Sequence, residues 1–184
     1  KAYIFESLRP TPELSFALRT LGCTAGIVVT ASHNPAIYNG IKVFTRGGRD
    51  ADQEQTQEIE NYIRNVEADI EAGKAVPRMD YEEAKNAGLV VEFNPLNEYI
   101  DSIISRINMQ AIRDRGLRVA LDPLYGVSQT SLKTILSIAR CEVEPIHERH
   151  DTLFGGKLPA PNATMVCFSS MMRMLYRPYL PGRA

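Results

Sequence analysis

Apolar positions along the chain recur with two periods, and their alternation reads as strands traded with helices. Tyr3-Ile4-Phe5 is a short apolar strand. Thr11-Pro12-Glu13 opens a helix with Pro12 at the first helical position, where a missing N–H costs nothing. Leu14, Phe16, Ala17, Leu18 and Leu21 supply its apolar side, and Gly22 its stop. The run Ala25–Thr30 is apolar almost throughout, which predicts a strand covered on both faces. A polar loop, Ala31–Gly40, leads to a strand over Ile41–Phe44, and Gly47-Gly48 make the next turn.

From Gln53 the period becomes helical: Ile59, Tyr62, Ile63, Val66 and Ile70 share one face of a helix that Gly73 ends. Leu89–Phe93 is a strand. Asn94-Pro95 start an amphipathic helix through Leu96, Tyr99, Ile100, Ile103, Ile104 and Ile107. Strand Leu117–Asp122, helix Val127–Arg140 and strand Cys141–Ile146 follow. The pattern predicts an α/β fold, a mixed, largely parallel sheet flanked by helices, plus the beginning of a second α/β domain. A fresh strand–turn–helix unit near Asp114 sets the boundary, giving domains over 1–113 and 114–162. Residues 163–184 keep neither period and hold four of the six methionines, three arginines and no acid. They are expected to be a disordered or frame-shifted tail.

A chain of 184 residues is one generous domain or two small ones. Its 21 Lys+Arg against 22 Asp+Glu argue against a nucleic-acid or anionic-membrane partner. No stretch approaches the roughly 18–20 apolar residues of a membrane span. Cys23, Cys141 and Cys167 are odd in number and form no CxxC, which argues against a disulfide framework or zinc site and fits a cytoplasmic protein. Cys23 and Cys141 read as buried, unreactive thiols. The opening Lys1-Ala-Tyr-Ile-Phe5 shows no signal peptide and reads as the interior of a longer protein.

The chemistry concentrates in Thr30-Ala-Ser-His-Asn-Pro35, followed by Tyr38-Asn-Gly-Ile-Lys42. Ser32 stands just past the carboxyl end of a strand, where open α/β sheets place ligands. A serine there is a nucleophile or phosphoryl carrier if a neighbour handles its proton, and His33 and Lys42 are the candidates. Asn39-Gly40 reads as a tight turn that folds Lys42 back toward Ser32. The plainer reading is a polar loop, with Lys42 at a strand edge. A hydrolase triad is disfavoured: neighbouring Ser32 and His33 side chains leave the backbone in different directions, and no GxSxG is present. Asp50 and Asp52 read as charges at a helix start. His147 and His150 read as a solvated loop rather than a metal site, and Gly155-Gly156 as a turn.

Taken together, Thr30–Pro35 and Tyr38-Asn-Gly-x-Lys42 resemble the phosphoserine loop of the α-D-phosphohexomutases, the phosphoglucomutase/phosphomannomutase family. Arg9-Pro-Thr-Pro-Glu-Leu-Ser-Phe-Ala17, Asp122-Pro-Leu-Tyr-Gly126 and Asp151-Thr-Leu-Phe-Gly-Gly156 agree, so the likeness runs from about Tyr3 to about Asn162. The resemblance implies that Ser32 carries phosphate and exchanges it with a hexose phosphate substrate through a bisphosphate. C1 and C6 phosphates then interconvert, most specifically those of glucose. His33 and Lys42 would handle protons and charge, and Mg²⁺ would sit on the Ser32 phosphate. Glucose 1,6-bisphosphate would be the activator. The family's metal loop, Asp-Gly-Asp-x-Asp-Arg, is missing here, as are its first segment, sugar-recognition loop and phosphate-binding domain. The expectation is therefore a fragment, without mutase turnover alone, whose partners are the missing domains of its own full-length chain. The alternative is a non-catalytic α/β module that binds a phosphorylated ligand or partner.

Overall fold

Pro10, in extended backbone, caps the start of α1 (Thr11–Leu21), one residue earlier than the sequence pattern places it, and Pro12 lies in its first turn. Gly22, at φ 64°, ends the helix in the left-handed conformation that favours glycine. A computed structural model describes residues 1–160, in two compact units; the predicted tail over 163–184, with Cys167, lies outside the described residues.

The first unit comprises residues 1–29 and 41–99. Its β1 (Ala2–Phe5) pairs in parallel with β5 (Val90–Phe93), with Tyr3 edge-on to Phe93 and Phe5 tilted against it. An antiparallel sheet joins β2 (Ala25–Val29), β3 (Ile41–Thr45) and the two-residue β4 (Arg49–Asp50). One face of β2 takes α1: a Cβ on Gly26 would lie 2.3 Å from Leu18 Cδ1, so any larger residue there would push the Leu18 side chain aside. The other face carries Ile27 and Val29, 65% and 62% exposed, so the expected cover on both faces is corrected to one. Glu13 is fully buried on α1, and burial pushes its carboxyl pKa up while Arg9 opposes the shift.

Asp52 caps α2 (Gln53–Glu71), accepting from the Gln55 amide while Gln55 returns a bond to the Asp52 amide. The predicted apolar stripe of α2 is present, yet no residue of the helix is buried. The sequence pattern missed α3 (Tyr81–Asn86), only six residues long, capped by Asp80 and tied to β5 by Tyr81 and Lys85, which both donate to Glu92.

Residues 30–40 and the chain from residue 100 form the second unit. The helix predicted through Ile107 ends at Ile104 (α4, Leu96–Ile104), and a further helix that the sequence pattern missed, α5 (Met109–Arg115), starts where the Asn108 side chain accepts from the Ala111 amide. Parallel strands β6 (Arg118–Leu121) and β7 (Glu142–Pro145) flank α6 (Gln129–Ile138) in sequence. Ile135 and Ala139 are buried where α6 packs on β7. The fold is the predicted mixed α/β class, with strands in three small sheets, two of them parallel pairs. Among the described residues, no helix is long and apolar enough to cross a membrane.

Candidate functional site

The loop between β2 and β3 closes on itself. The Thr30 amide donates to the Gly40 carbonyl at 2.8 Å, and two short turns follow each other inside, Asn34 N–H to Ala31 O and Tyr38 N–H to Pro35 O. Asn39-Gly40 is therefore not the predicted turn. The Asn39 side chain accepts from the Gly40 amide, and Gly40 lacks the positive φ that such a turn needs.

Ser32 sits at φ 53°, left-handed backbone that costs a side-chain-bearing residue roughly 1–2 kcal/mol. Its amide donates to Thr30 Oγ1 at 3.1 Å, which holds it there. This conformation also brings the Ser32 hydroxyl to 3.3 Å from His33 Nδ1. The expectation that these two side chains diverge is corrected: an extended serine would part them, and a left-handed one does not. Both are exposed to solvent. Lys42 is exposed on β3, opposite Val28, and forms no ion pair among the described residues. The loop thus presents an accessible hydroxyl with an imidazole in proton-transfer reach, the parts a phosphoryl or acyl acceptor needs. No carboxylate orients His33 among the described residues, so a hydrolase triad is not assembled.

The expected Mg²⁺ does not fit the residues present. No group of three or more His, Cys, Asp or Glu able to hold a metal occurs among the described residues. Asp52 is committed to capping α2, and Asp50 lies in β4 opposite Phe44. A phosphate on Ser32 would meet Mg²⁺ with too few carboxylates from this set, and no step below runs through a metal.

Other sequence expectations resolve differently. His150 is exposed, as read. His147 is not solvated: its Nδ1 lies 3.0 Å from Asp122 Oδ2, and its ring packs on Tyr125. Nothing local announces this partner, which lies 25 residues upstream. Cys23 and Cys141 are half-buried rather than buried, since each follows a helix end at a junction. Gly155-Gly156 do make a turn.

Comparison with known proteins matches the chain in two parts, with residues 30–40 in the first. The family model for phosphoglucomutase/phosphomannomutase alpha/beta/alpha domain I matches residues 1–69, and that for domain II matches residues 97–177. The second match passes Asn162 and takes in part of the segment read as a tail. A phosphoglucomutase of Staphylococcus haemolyticus is 45% identical over 152 residues, 79% of this chain and 27% of that protein. A phosphoglucosamine/phosphogalactosamine mutase of Sulfurisphaera tokodaii is 30% identical over 154 residues, 84% of this chain and 32% of that protein. A Thermus thermophilus crystal structure described as a phosphomannomutase shares the fold, with TM-score 0.76 over 96% of this chain and 37% of that one, at 24% identity. The chain spans about a third of the length of the curated relatives it matches. With domain I matched over residues 1–69, domain II over residues 97–177, and the serine motif between strands of the first, the chain belongs to the phosphoglucomutase/phosphomannomutase family.

Proposed function

We propose that this chain is part of a cytoplasmic hexose-phosphate mutase in which Ser32 carries the phosphoryl group. One observation carries the reading: the family's serine motif is presented on an exposed loop with its serine held in strained backbone, its hydroxyl against an imidazole. Strain of this kind persists where the surrounding structure holds it and where function uses it.

In the proposed step, Ser32 Oγ attacks the phosphorus of a hexose bisphosphate as the bond from phosphorus to the sugar oxygen breaks. The Ser32 proton passes to His33 Nδ1 and then to the departing sugar oxygen, leaving phosphoserine and a hexose monophosphate. Lys42 is assigned to charge stabilisation by its place in the motif. Glucose is the proposed sugar. The relatives' names include both phosphoglucomutase and phosphoglucosamine mutase, which makes glucosamine the competitor to test.

The test is a single-turnover reaction. The chain mixed with glucose 1,6-bisphosphate is expected to release one glucose monophosphate per protein, without sustained turnover, and faster than it releases glucosamine monophosphate from the corresponding bisphosphate. Ser32→Ala should release none. Equal release by Ser32→Ala, or none by the native chain, overturns the reading. The latter outcome favours the non-catalytic phosphate-binding module, since the described residues contain no metal-holding carboxylate cluster.

A further inference from the structure

Among the described residues, six non-glycine residues have positive φ. One is Ser32, and Arg140 follows the end of α6, where a left-handed residue is an ordinary helix stop. The other four, Leu124 (50°), Tyr125 (62°), His147 (48°) and Phe154 (53°), fall in three loops of the second unit. Two of those loops leave the carboxyl ends of the neighbouring parallel strands β6 and β7, the position at which open α/β sheets bind ligands.

Asp122 holds the strain in place. Its Oδ1 accepts the Leu124 amide at 2.9 Å, and its two oxygens lie 3.1 and 3.0 Å from His147 Nδ1. Tyr125 joins the loops: its amide donates to the His147 carbonyl, its ring packs on the imidazole with centroids 4.8 Å apart, and its hydroxyl lies 2.7 Å from where a Cβ on Gly155 would be. A carboxylate against Nδ1 keeps the ring proton on that nitrogen, so Nε2 of the neutral ring is left as an acceptor of fixed direction. The His147 and Asp122 side chains are each about one-fifth exposed.

We propose that the carboxyl ends of β6 and β7 carry a second ligand site, in which His147 Nε2 accepts a hydrogen bond from a sugar-ring hydroxyl. An acceptor selects a donor, so a phosphate oxygen does not satisfy it and a hydroxyl does. Tyr125 beside it is an amphipathic ring of the kind that covers the apolar side of a polar ligand. Choosing a sugar rests on the mutase reading above; the acceptor itself does not.

The test follows the imidazole nitrogens of the full 184-residue chain by ¹⁵N NMR at pH 8 while glucose is added. A saturable shift of His147 Nε2 is expected, with His33 and His150 unmoved. Asp122→Asn presents an amide N–H to Nδ1, drives the ring proton to Nε2 and turns the acceptor into a donor. It should weaken glucose binding at least tenfold. If Asp122→Asn does not fold, His147→Asn keeps a residue that tolerates positive φ and should lose the binding. Ser32→Ala should leave the His147 shift intact, so failure of the phosphoserine reading and failure of this site are separable. No saturable shift, equal shifts at all three histidines, or undiminished binding by the Asn variants would overturn the proposal.

Discussion

The serine loop and the loops beyond β6 and β7 both force side-chain-bearing residues into left-handed backbone, and they hold them there by opposite means. Ser32 is supported from within its own segment, by Thr30 Oγ1 two residues away and by the Thr30–Gly40 closure. Leu124, Tyr125 and His147 are supported by a carboxylate and an aromatic ring that join segments 25 residues apart in sequence. Local support leaves the serine hydroxyl open to solvent, as a group that meets a large charged reactant must be. Distant support leaves the imidazole about one-fifth exposed and holds its Nδ1 on a carboxylate. Self-held strain suits an exposed reacting atom, and cross-tied strain suits a directional contact.

Breaking the cross-tie should have the larger effect. Asp122→Ala orphans the Leu124 amide and His147 Nδ1 together, and is expected to cost about 2–3 kcal/mol. The check is the urea midpoint of the β6 and β7 amide signals. A change in midpoint indistinguishable from zero would mean that Asp122 does not hold the strain. At the serine loop the sign should reverse. Ser32→Gly relieves the left-handed backbone and loses no bond to the Ser32 amide, so it should stabilise by up to about 1 kcal/mol while losing phosphoryl uptake. A destabilised Ser32→Gly would show that the hydroxyl itself holds the loop.

Acid separates the two regions most gently. Asp151 accepts the Leu153 amide at 2.9 Å and the Gly155 amide at 3.3 Å, and those bonds, led by Leu153, with Arg149 nearby, hold its carboxyl pKa below the ordinary 3.8. A depressed carboxyl stabilises the fold above its unfolded pKa, and that contribution fades as pH falls through the lower folded value. The Gly155 amide resonance should therefore titrate with a midpoint below 3.8. The Ser32 amide, in a loop without a carboxylate, should stay still over the same range. Joint movement would mean that the two regions are not independently held.

What could be read from the chain follows the same contrast. Gly22, the Asp52–Gln55 cap and the serine motif are short-range signals, and the corresponding helix stop, helix start and exposed loop all appear. Asn39-Gly40 misled because dipeptide identity does not specify φ: Gly40 is drawn against Thr30 in a conformation open to any residue. His147 was read as solvated because its partner lies across α6 and β7 in sequence, beyond any local pattern. For α2, periodicity identified an apolar face but not whether anything covers it, and Tyr62, Ile63, Val66 and Ile70 all lie exposed. The same holds for β2, whose apolar run predicted two covered faces where the fold covers one.

The central claim is that Ser32, and no other hydroxyl, takes the phosphoryl group, and peptide mapping by mass spectrometry tests it most directly. After incubation with glucose 1,6-bisphosphate, digestion should yield one phosphopeptide, spanning Thr30–Pro35, with fragmentation placing the phosphate on Ser32. Phosphate on Thr30 or Ser128, or an unmodified Thr30–Pro35 peptide beside a native amide spectrum, would contradict it.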